Sequence, residues 1–332
     1  MIAVTGGDGY IGSHCVLALL REGYDVAVFD NHTTGHRGTS EAFKGDFEGR
    51  FMGSFEGDLL DREDLARFFS EYKVDAVIHF AALSQVAQSM SDPSLYWRNN
   101  VTGTMNLLDA MRDAGVDRIV FSSTAATYGE PRYVPIDEKH PQEPINPYGH
   151  TKLAIERMMD SYDAAYGLRS VRLRYFNVAG ADSGGRVGEV HIPETHLIPN
   201  ILKSTFGDGH EFRMFGTDYP TRDGTCIRDY VNVEDLADAH ILALKYLENG
   251  GKTDFFNLGT NEGSTVKEVF AACEKVTGKE IPVRVEGRRP GDPAVLVADN
   301  SKAREVLGWN PRRTLEDSIR TAYAWELRMH ER

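Results

Sequence analysis

The chain has 332 residues, 41% hydrophobic and 26% charged, enough for a full buried core and unlike a disordered or fibrous composition. Its net charge of −13 excludes the basic footprint that nucleic acid or an anionic membrane needs, but not a small anionic ligand held by local arginines and helix N-termini. The 3 cysteines, Cys15, Cys226 and Cys273, show no CxxC spacing, which excludes a disulfide framework and a cysteine zinc site.

Short apolar runs alternate with helical stretches in the first half, the pattern of a parallel α/β sheet. Ile2–Val4 reads as the first strand, followed by Thr5-Gly6-Gly7-Asp8-Gly9-Tyr10-Ile11-Gly12 and a helix from about Gly12 to Glu22. Tyr24–Phe29 reads as the second strand, ending in Asp30. Glu63–Tyr72 is expected to be helix and Ala76–Phe80 strand; Asn99–Ala114 has helical spacing in Val101, Met105, Leu108 and Met111. Arg118–Ser122 is a further strand, Tyr148 opens a helix that runs to Tyr166, and Val171–Arg174 closes the block. After about residue 177 Gly, Pro, Asp and Thr become frequent, and loops dominate from Gly180 to Arg228. Strand and helix return at Tyr230–Tyr246, Asp254–Leu258 and Thr265–Thr277. The expected architecture is a Rossmann-type doubly wound parallel sheet over residues 1–177, with a smaller C-terminal α/β substrate-binding domain over 178–332 that returns some elements to the sheet. With no leader-like segment and no long apolar run, cytoplasm is the expected location.

Gly6, Gly9 and Gly12 follow a strand and precede a helix, where a tight turn lets a pyrophosphate approach the helix N-terminus. Asp30 at the end of the second strand can accept the adenosine ribose hydroxyls, and its charge repels a 2′-phosphate, favouring NAD over NADP; Arg37 nearby leaves that choice open. Asp58 is placed to meet the adenine or, equally, to cap the next helix. Tyr148 and Lys152 share a helix face, so a cation near the phenol would favour phenolate, a base for a sugar hydroxyl. Asn146-Pro147 supplies the helix entry. Ser122-Ser123-Thr124 at a strand end either aims a hydroxyl at the ligand or makes local backbone bonds. His79 reads as a satisfied core residue, His14 needs no catalytic role, and His191 and His196, flanking Pro193, suit neither a helix-face metal pair nor a dyad; no metal is expected.

The segments TGGDGYIGSH (5–14), HFAALSQV (79–86), NNVTGT (99–104), SSTAATYG (122–129), NPYGHTKL (146–153), LRYFNVAGA (173–181), PETHLIP (193–199), DYPTRDGTCIRDYVNV (218–233) and RRPGDPA (288–294) resemble the extended short-chain dehydrogenase/reductase superfamily, and within it the UDP-glucose 4-epimerases. The resemblance implies reversible epimerisation of a UDP-hexose through transient oxidation at C4 with tightly held NAD. It places NAD against Gly6, Gly9, Tyr10, Ile11, Gly12, Asp30, Asn31, Asp58, Leu59, Phe80, Ala81, Ala82, Asn99, Ser122, Tyr148, Lys152 and Tyr175. It places the UDP-sugar against Thr124, Tyr148, Asn177, His196, Leu197, Phe215, Arg228, Tyr230, Arg289, Asp292 and Leu296, with Tyr148, Lys152 and Thr124 catalytic. It also implies a homodimer joined through the Asn99–Ala114 and Tyr148–Tyr166 helices. The chain departs from many members at Ser84, where Lys is common, at Ala87-Gln88 in place of Gly-Glu, at Thr124 in place of Ser, and at His196 in place of Asn. Leu296 stands at the pocket gate, intermediate between an aromatic that would exclude 2-acetamido sugars and a small residue that would admit them.

A sugar-nucleotide dehydratase would need carboxylates beside Thr124, where Ala125 and Ala126 stand, and a UDP-glucuronate decarboxylase is disfavoured for the same reason. A UDP-pentose epimerase and a net dehydrogenase share the same residues. A non-enzymatic NAD(H) sensor would have no need of Tyr148, Lys152 or the two arginines.

Overall fold

A computed structural model describes residues 1–207, 210–289 and 292–331; Pro290 and Gly291 of the RRPGDPA segment lie outside the described residues. The first half winds as β1 (Ile2–Thr5), α1 (Tyr10–Arg21), β2 (Val26–Asp30), β3 (Phe51–Glu56), α2 (Arg62–Glu71), β4 (Ala76–His79), α3 (Val86–Ser91), α4 (Pro93–Tyr96), α5 (Gly103–Asp113), β5 (Arg118–Thr124), α6 (Pro147–Tyr166) and β6 (Arg169–Tyr175). Then follow β7 (Asn177–Ala179), α7 (Leu197–Lys203), β8 (Phe212–Phe215), β9 (Ile227–Asn232), α8 (Val233–Glu248), β10 (Asp254–Leu258), β11 (Gly263–Thr265), α9 (Val266–Thr277), β12 (Val283–Glu286), β13 (Val295–Leu296) and α10 (Leu315–His330).

The main sheet is 7-stranded, in the order β10-β6-β5-β4-β1-β2-β3, and every pairing in it is parallel. Its inner strands are apolar because helices cover both faces: β1, β2 and β4 are buried at every position. The order reverses between β1 and β4, which opens a crevice at the carboxyl ends of the strands. The second half adds elements to this sheet. β10 pairs with β6 and buries Phe256 and Leu258, and α8 packs beside α1. The remaining strands form a sheet of order β11-β9-β13, with β7 paired to β9, and a parallel β8–β12 pair. No helix among the described residues is long and apolar enough to cross a membrane.

Several elements, among them α7, β8 and α10, are unmarked in the sequence, and two differences have a clear physical cause. β3, unmarked by any alternation, forms as an edge strand because its backbone completes the ladder of β2, with a register shift at Val26/Ala27. The helix expected over Asn99–Ala114 begins instead as a π-turn at Trp97–Thr102, because the buried Asn100 is tied sideways: its amide bonds Leu83 N and O and reaches Thr151 Oγ1. Met105, placed on the apolar stripe, is exposed, whereas Leu108 and Met111 are buried.

The helix bearing the Tyr-x-x-x-Lys pair is locally well specified. Asn146 caps it by accepting from Gly149 N at 2.8 Å, Pro147 occupies its first turn, and Gly167 ends it at φ 69. Glu156, on its buried face, accepts from Ser123 Oγ of β5 at 2.5 Å and from Arg174 Nε of β6 at 2.9 Å. Arg174 also donates to Tyr128 Oη at 2.9 Å, so no charge in this cluster is left unpaired. Glu156→Ala would strand the Arg174 guanidinium in the core and should cost about 3–5 kcal/mol in urea unfolding; a loss under about 1 kcal/mol would refute the clamp.

Candidate active site

A cavity of about 1020 Å³ sits over the carboxyl ends of the central strands, and every residue expected at the site lines it. They are Gly6, Gly9, Tyr10, Ile11, Gly12, Asp30, Asn31, Asp58, Leu59, Phe80, Ala81, Ala82, Asn99, Ser122, Thr124, Tyr148, Lys152, Tyr175, Asn177, His196, Leu197, Phe215, Arg228, Tyr230, Arg289, Asp292 and Leu296.

The glycine turn is built by exclusion of side chains. Gly6 has φ +72 and a Cβ there would lie 2.6 Å from Ala81 N; a Cβ on Gly12 would lie 2.0 Å from Gly6 O. α1 starts at Gly9 with no side-chain cap, leaving its first amides for an anion. Asp30, nearly buried, accepts from Asp8 N at 3.0 Å and His32 N at 2.8 Å, which orients its carboxylate. Burial, the largest effect, raises its pKa against those two bonds. Arg37 is paired with Glu56 on the surface, which takes it away from a 2′-phosphate role. The alternative for Asp58 as a helix cap is settled by Asp61, which caps α2 by accepting from Glu63 N at 2.8 Å. Asp58 instead accepts from Leu60 N at 2.8 Å and from Asn31 Nδ2 at 3.3 Å.

Tyr148 and Lys152 face the same space, but the ammonium does not touch the phenol. Lys152 Nζ donates to Ser122 O at 2.7 Å and stands 5.9 Å from the Tyr148 ring centroid. Burial dominates both groups. It pushes the Tyr148 phenol up to about 12, against a hydrogen bond with Thr124, and the Lys152 ammonium down to about 7, against the charge of Glu156. The Lys152 cation therefore does not offset the burial of the Tyr148 phenol. Of the two readings of the Ser122-Ser123-Thr124 segment, the local backbone bond is present, with Thr124 Oγ1 accepting from Ala126 N at 3.1 Å, and the same hydroxyl meets Tyr148. Ser122 Oγ pairs with Tyr175 Oη.

On the wall opposite the glycine turn, Arg228 donates to Ile227 O and Pro293 O and lies 3.4 Å from Asp292. The Arg289 guanidinium stacks 3.9 Å from the Phe215 centroid. Leu296 packs against the small buried cluster of Ala125, Tyr128 and Ile136. Of the residues that depart from the resemblance, Ser84 and Ala87 line the cavity and Gln88 accepts from Tyr96 Oη. His79 is the satisfied core residue expected, bonded to Thr5 Oγ1 and Thr104 Oγ1, with burial pushing its pKa down to about 3.

Sequence spacing missed Glu189 and Glu194, which line the same cavity. A turn around Pro193 brings them together with His191 and His196, a convergence that a helical-spacing criterion does not register. The dense run of ligand-type residues over 189–196 was the available signal.

A family model described as GDP-mannose 4,6 dehydratase matches residues 3–322. The UDP-glucose 4-epimerase of Lacticaseibacillus casei is 52% identical over 98% of this chain and 96% of its own. The structure of a UDP-glucose 4-epimerase from Brucella ovis in complex with NAD superposes with TM-score 0.92 at 45% identity, covering 97% of both chains. That of Bifidobacterium longum, with NAD+ and UDP, gives TM-score 0.92 at 38% identity, covering 98% of both.

Because the folded-state pKa of Lys152 is depressed to about 7 from 10.5, the unfolded chain holds this proton more tightly at higher pH. Ligand-free protein should therefore gain stability over Lys152→Met as pH rises from 7 towards 10, by at most about 1.4 kcal/mol per unit. Parallel urea curves at pH 7, 8 and 9 test this, and an unchanging difference would refute it.

Proposed function

The chain belongs to the UDP-glucose 4-epimerases, within the family that the dehydratase-named model describes, and from that membership we propose how its own residues carry the reaction. It is an NAD-dependent isomerase that interconverts UDP-galactose and UDP-glucose. The observation that carries the residue assignment is the single cavity shared by the glycine turn, the Tyr148–Lys152–Thr124 group and two arginines.

The site fits NAD: the crowded glycine turn and the uncapped α1 suit a pyrophosphate, and the Asp30 carboxylate suits an unphosphorylated ribose. When bound, this cofactor supplies reversible hydride transfer at sugar C4 and is regenerated in each cycle. Tyr148 Oη takes the proton of the sugar 4-hydroxyl and later returns it. Thr124 Oγ1 steers that hydroxyl, and Lys152 offers a cation on the same helix face. Arg228 and Arg289 hold the diphosphate, leaving the 4-keto sugar free to turn about its link to UDP. Water elimination has no support, since Ala125 and Ala126 follow Thr124 into the cavity wall.

Residues 1–177 are assigned to NAD and 178–332 to the UDP-sugar, with α8 and β10 returning to the sheet. A homodimer through α5 and α6 is supported by exposed Met105 and Tyr166 on those helices and by exposed Trp97 just before α5. Sedimentation equilibrium should give twice the chain mass; a monomer at micromolar concentration would overturn this arrangement. The free, buried thiols of Cys15, Cys226 and Cys273 support a reducing compartment, the cytoplasm.

Purified protein without added NAD should convert UDP-galactose to UDP-glucose, and Tyr148→Phe should lose about 10²–10⁴-fold in kcat while still binding UDP. Wild-type protein inactive even with NAD supplied would overturn the assignment. UDP-N-acetylgalactosamine in the same assay reads the width of the gate at Leu296: the leucine should admit it slowly, and Leu296→Tyr should abolish that turnover first.

A further inference from the structure

We propose that Glu189, His191, Glu194 and His196 form a four-coordinate site for a divalent cation of the zinc class in the cavity wall. One donor atom from each residue lies within 4.8 Å of every other. His196 Nδ1 is 2.7 Å from Glu189 Oε1 and 3.1 Å from Glu194 Oε1; His191 Nδ1 is 3.1 Å from Glu189 Oε1 and 4.0 Å from Glu194 Oε2. Four ligands at about 2.0–2.1 Å from a tetrahedral ion stand roughly 3.3 Å apart, close to the 2.7 and 3.1 Å that Glu189 Oε1 keeps from His196 Nδ1 and His191 Nδ1. Imidazole nitrogen with carboxylate oxygen is a donor set suited to zinc, and two carboxylates with two neutral imidazoles balance a 2+ charge.

A second observation points to a missing partner. The Glu194 side chain is only 5% exposed, and its Oε2 makes no hydrogen bond; the nearest ammonium, Lys203 Nζ, is 3.8 Å away. With Lys203 Nζ at 3.8 Å and His191 Nδ1 at 4.0 Å but no hydrogen bond, this buried oxygen is incompletely satisfied, and a closer cation would complete it. The rest of the loop is braced for such an ion. Trp325 Nε1 donates to Glu189 O at 3.1 Å, and the Thr195 and His196 amides each hold Glu194 Oε1 at 2.8 Å.

Four protein donors leave no open position, so the ion is structural. It pins the irregular segment 189–196 as a wall of the cavity and takes no part in proton or hydride transfer. The inference rests on the geometry of these four residues and stands apart from the choice of sugar.

The test uses the tag-free, cofactor-loaded chain, stripped with a chelator, supplied with Zn²⁺, desalted and assayed by inductively coupled plasma mass spectrometry. Wild type should retain about one zinc per chain and melt at a higher temperature with the metal than without it. The double variant His191→Gln/Glu194→Gln, which keeps all the cysteines, should retain almost none and show no metal-dependent shift. No retained zinc in wild type, or equal retention in the variant, would overturn the site. Should the double variant not fold, His191→Gln alone must weaken zinc at least tenfold in a competition titration, and unchanged affinity overturns the site equally.

Discussion

The buried Glu156–Arg174 pair is the constraint on which the catalytic arrangement depends. Glu156 lies one turn beyond Lys152 on α6, Arg174 adjoins Tyr175 at the end of β6, and Ser123, which also bonds Glu156, stands between Ser122 and Thr124 on β5. One carboxylate thus ties together the three elements that carry Tyr148, Lys152, Thr124, Ser122 and Tyr175. Burial opposes its ionisation, and Arg174, Ser123 and Arg172 together outweigh burial, holding the carboxyl below its usual range. The pair contributes position more than stability, since a buried ion pair often does no better than a well-packed apolar substitute.

That frame holds two groups whose charged forms are harder to reach than in water. A phenol raised to about 12 and an ammonium lowered to about 7 lie on one helix face, each destabilised in its charged form by the same dry surroundings. Both groups line the same cavity, so a ligand that fills it would change both surroundings at once. The Ser122 carbonyl keeps Lys152 aimed into the cavity in the meantime.

The two walls of the cavity come from different kinds of structure. One wall is strand ends and one helix N-terminus, where the glycine turn is packed backbone to backbone against the residues that follow β4. The other is assembled from β9, β13, the α7 entry and the segment over 189–196, where contacts between side chains replace ladder hydrogen bonds. Phe215 under Arg289 and Asp292 beside Arg228 set the reach of the two guanidinium groups.

Local and periodic features were legible in the chain itself. The glycine turn, Asp30 closing a strand, the Asn146-Pro147 helix entry and the Tyr148/Lys152 spacing each depend on neighbours within a few residues, so the amino-acid order determined them. The buried strands were legible for the same reason, because burial on both faces demands unbroken apolar runs. What only the tertiary structure decided were relations between distant segments. They include the edge pairing of β3 and the sideways tie of Asn100 to Leu83, neither of which leaves a periodic trace. The Lys152 ammonium rests on a carbonyl rather than near the phenol because the strand end beside it supplies the acceptor. Glu189, His191, Glu194 and His196 converge through a turn whose path depends on packing against α10 and α1, as Trp325 and Tyr10 show, and no rule of helical or strand spacing encodes such a path.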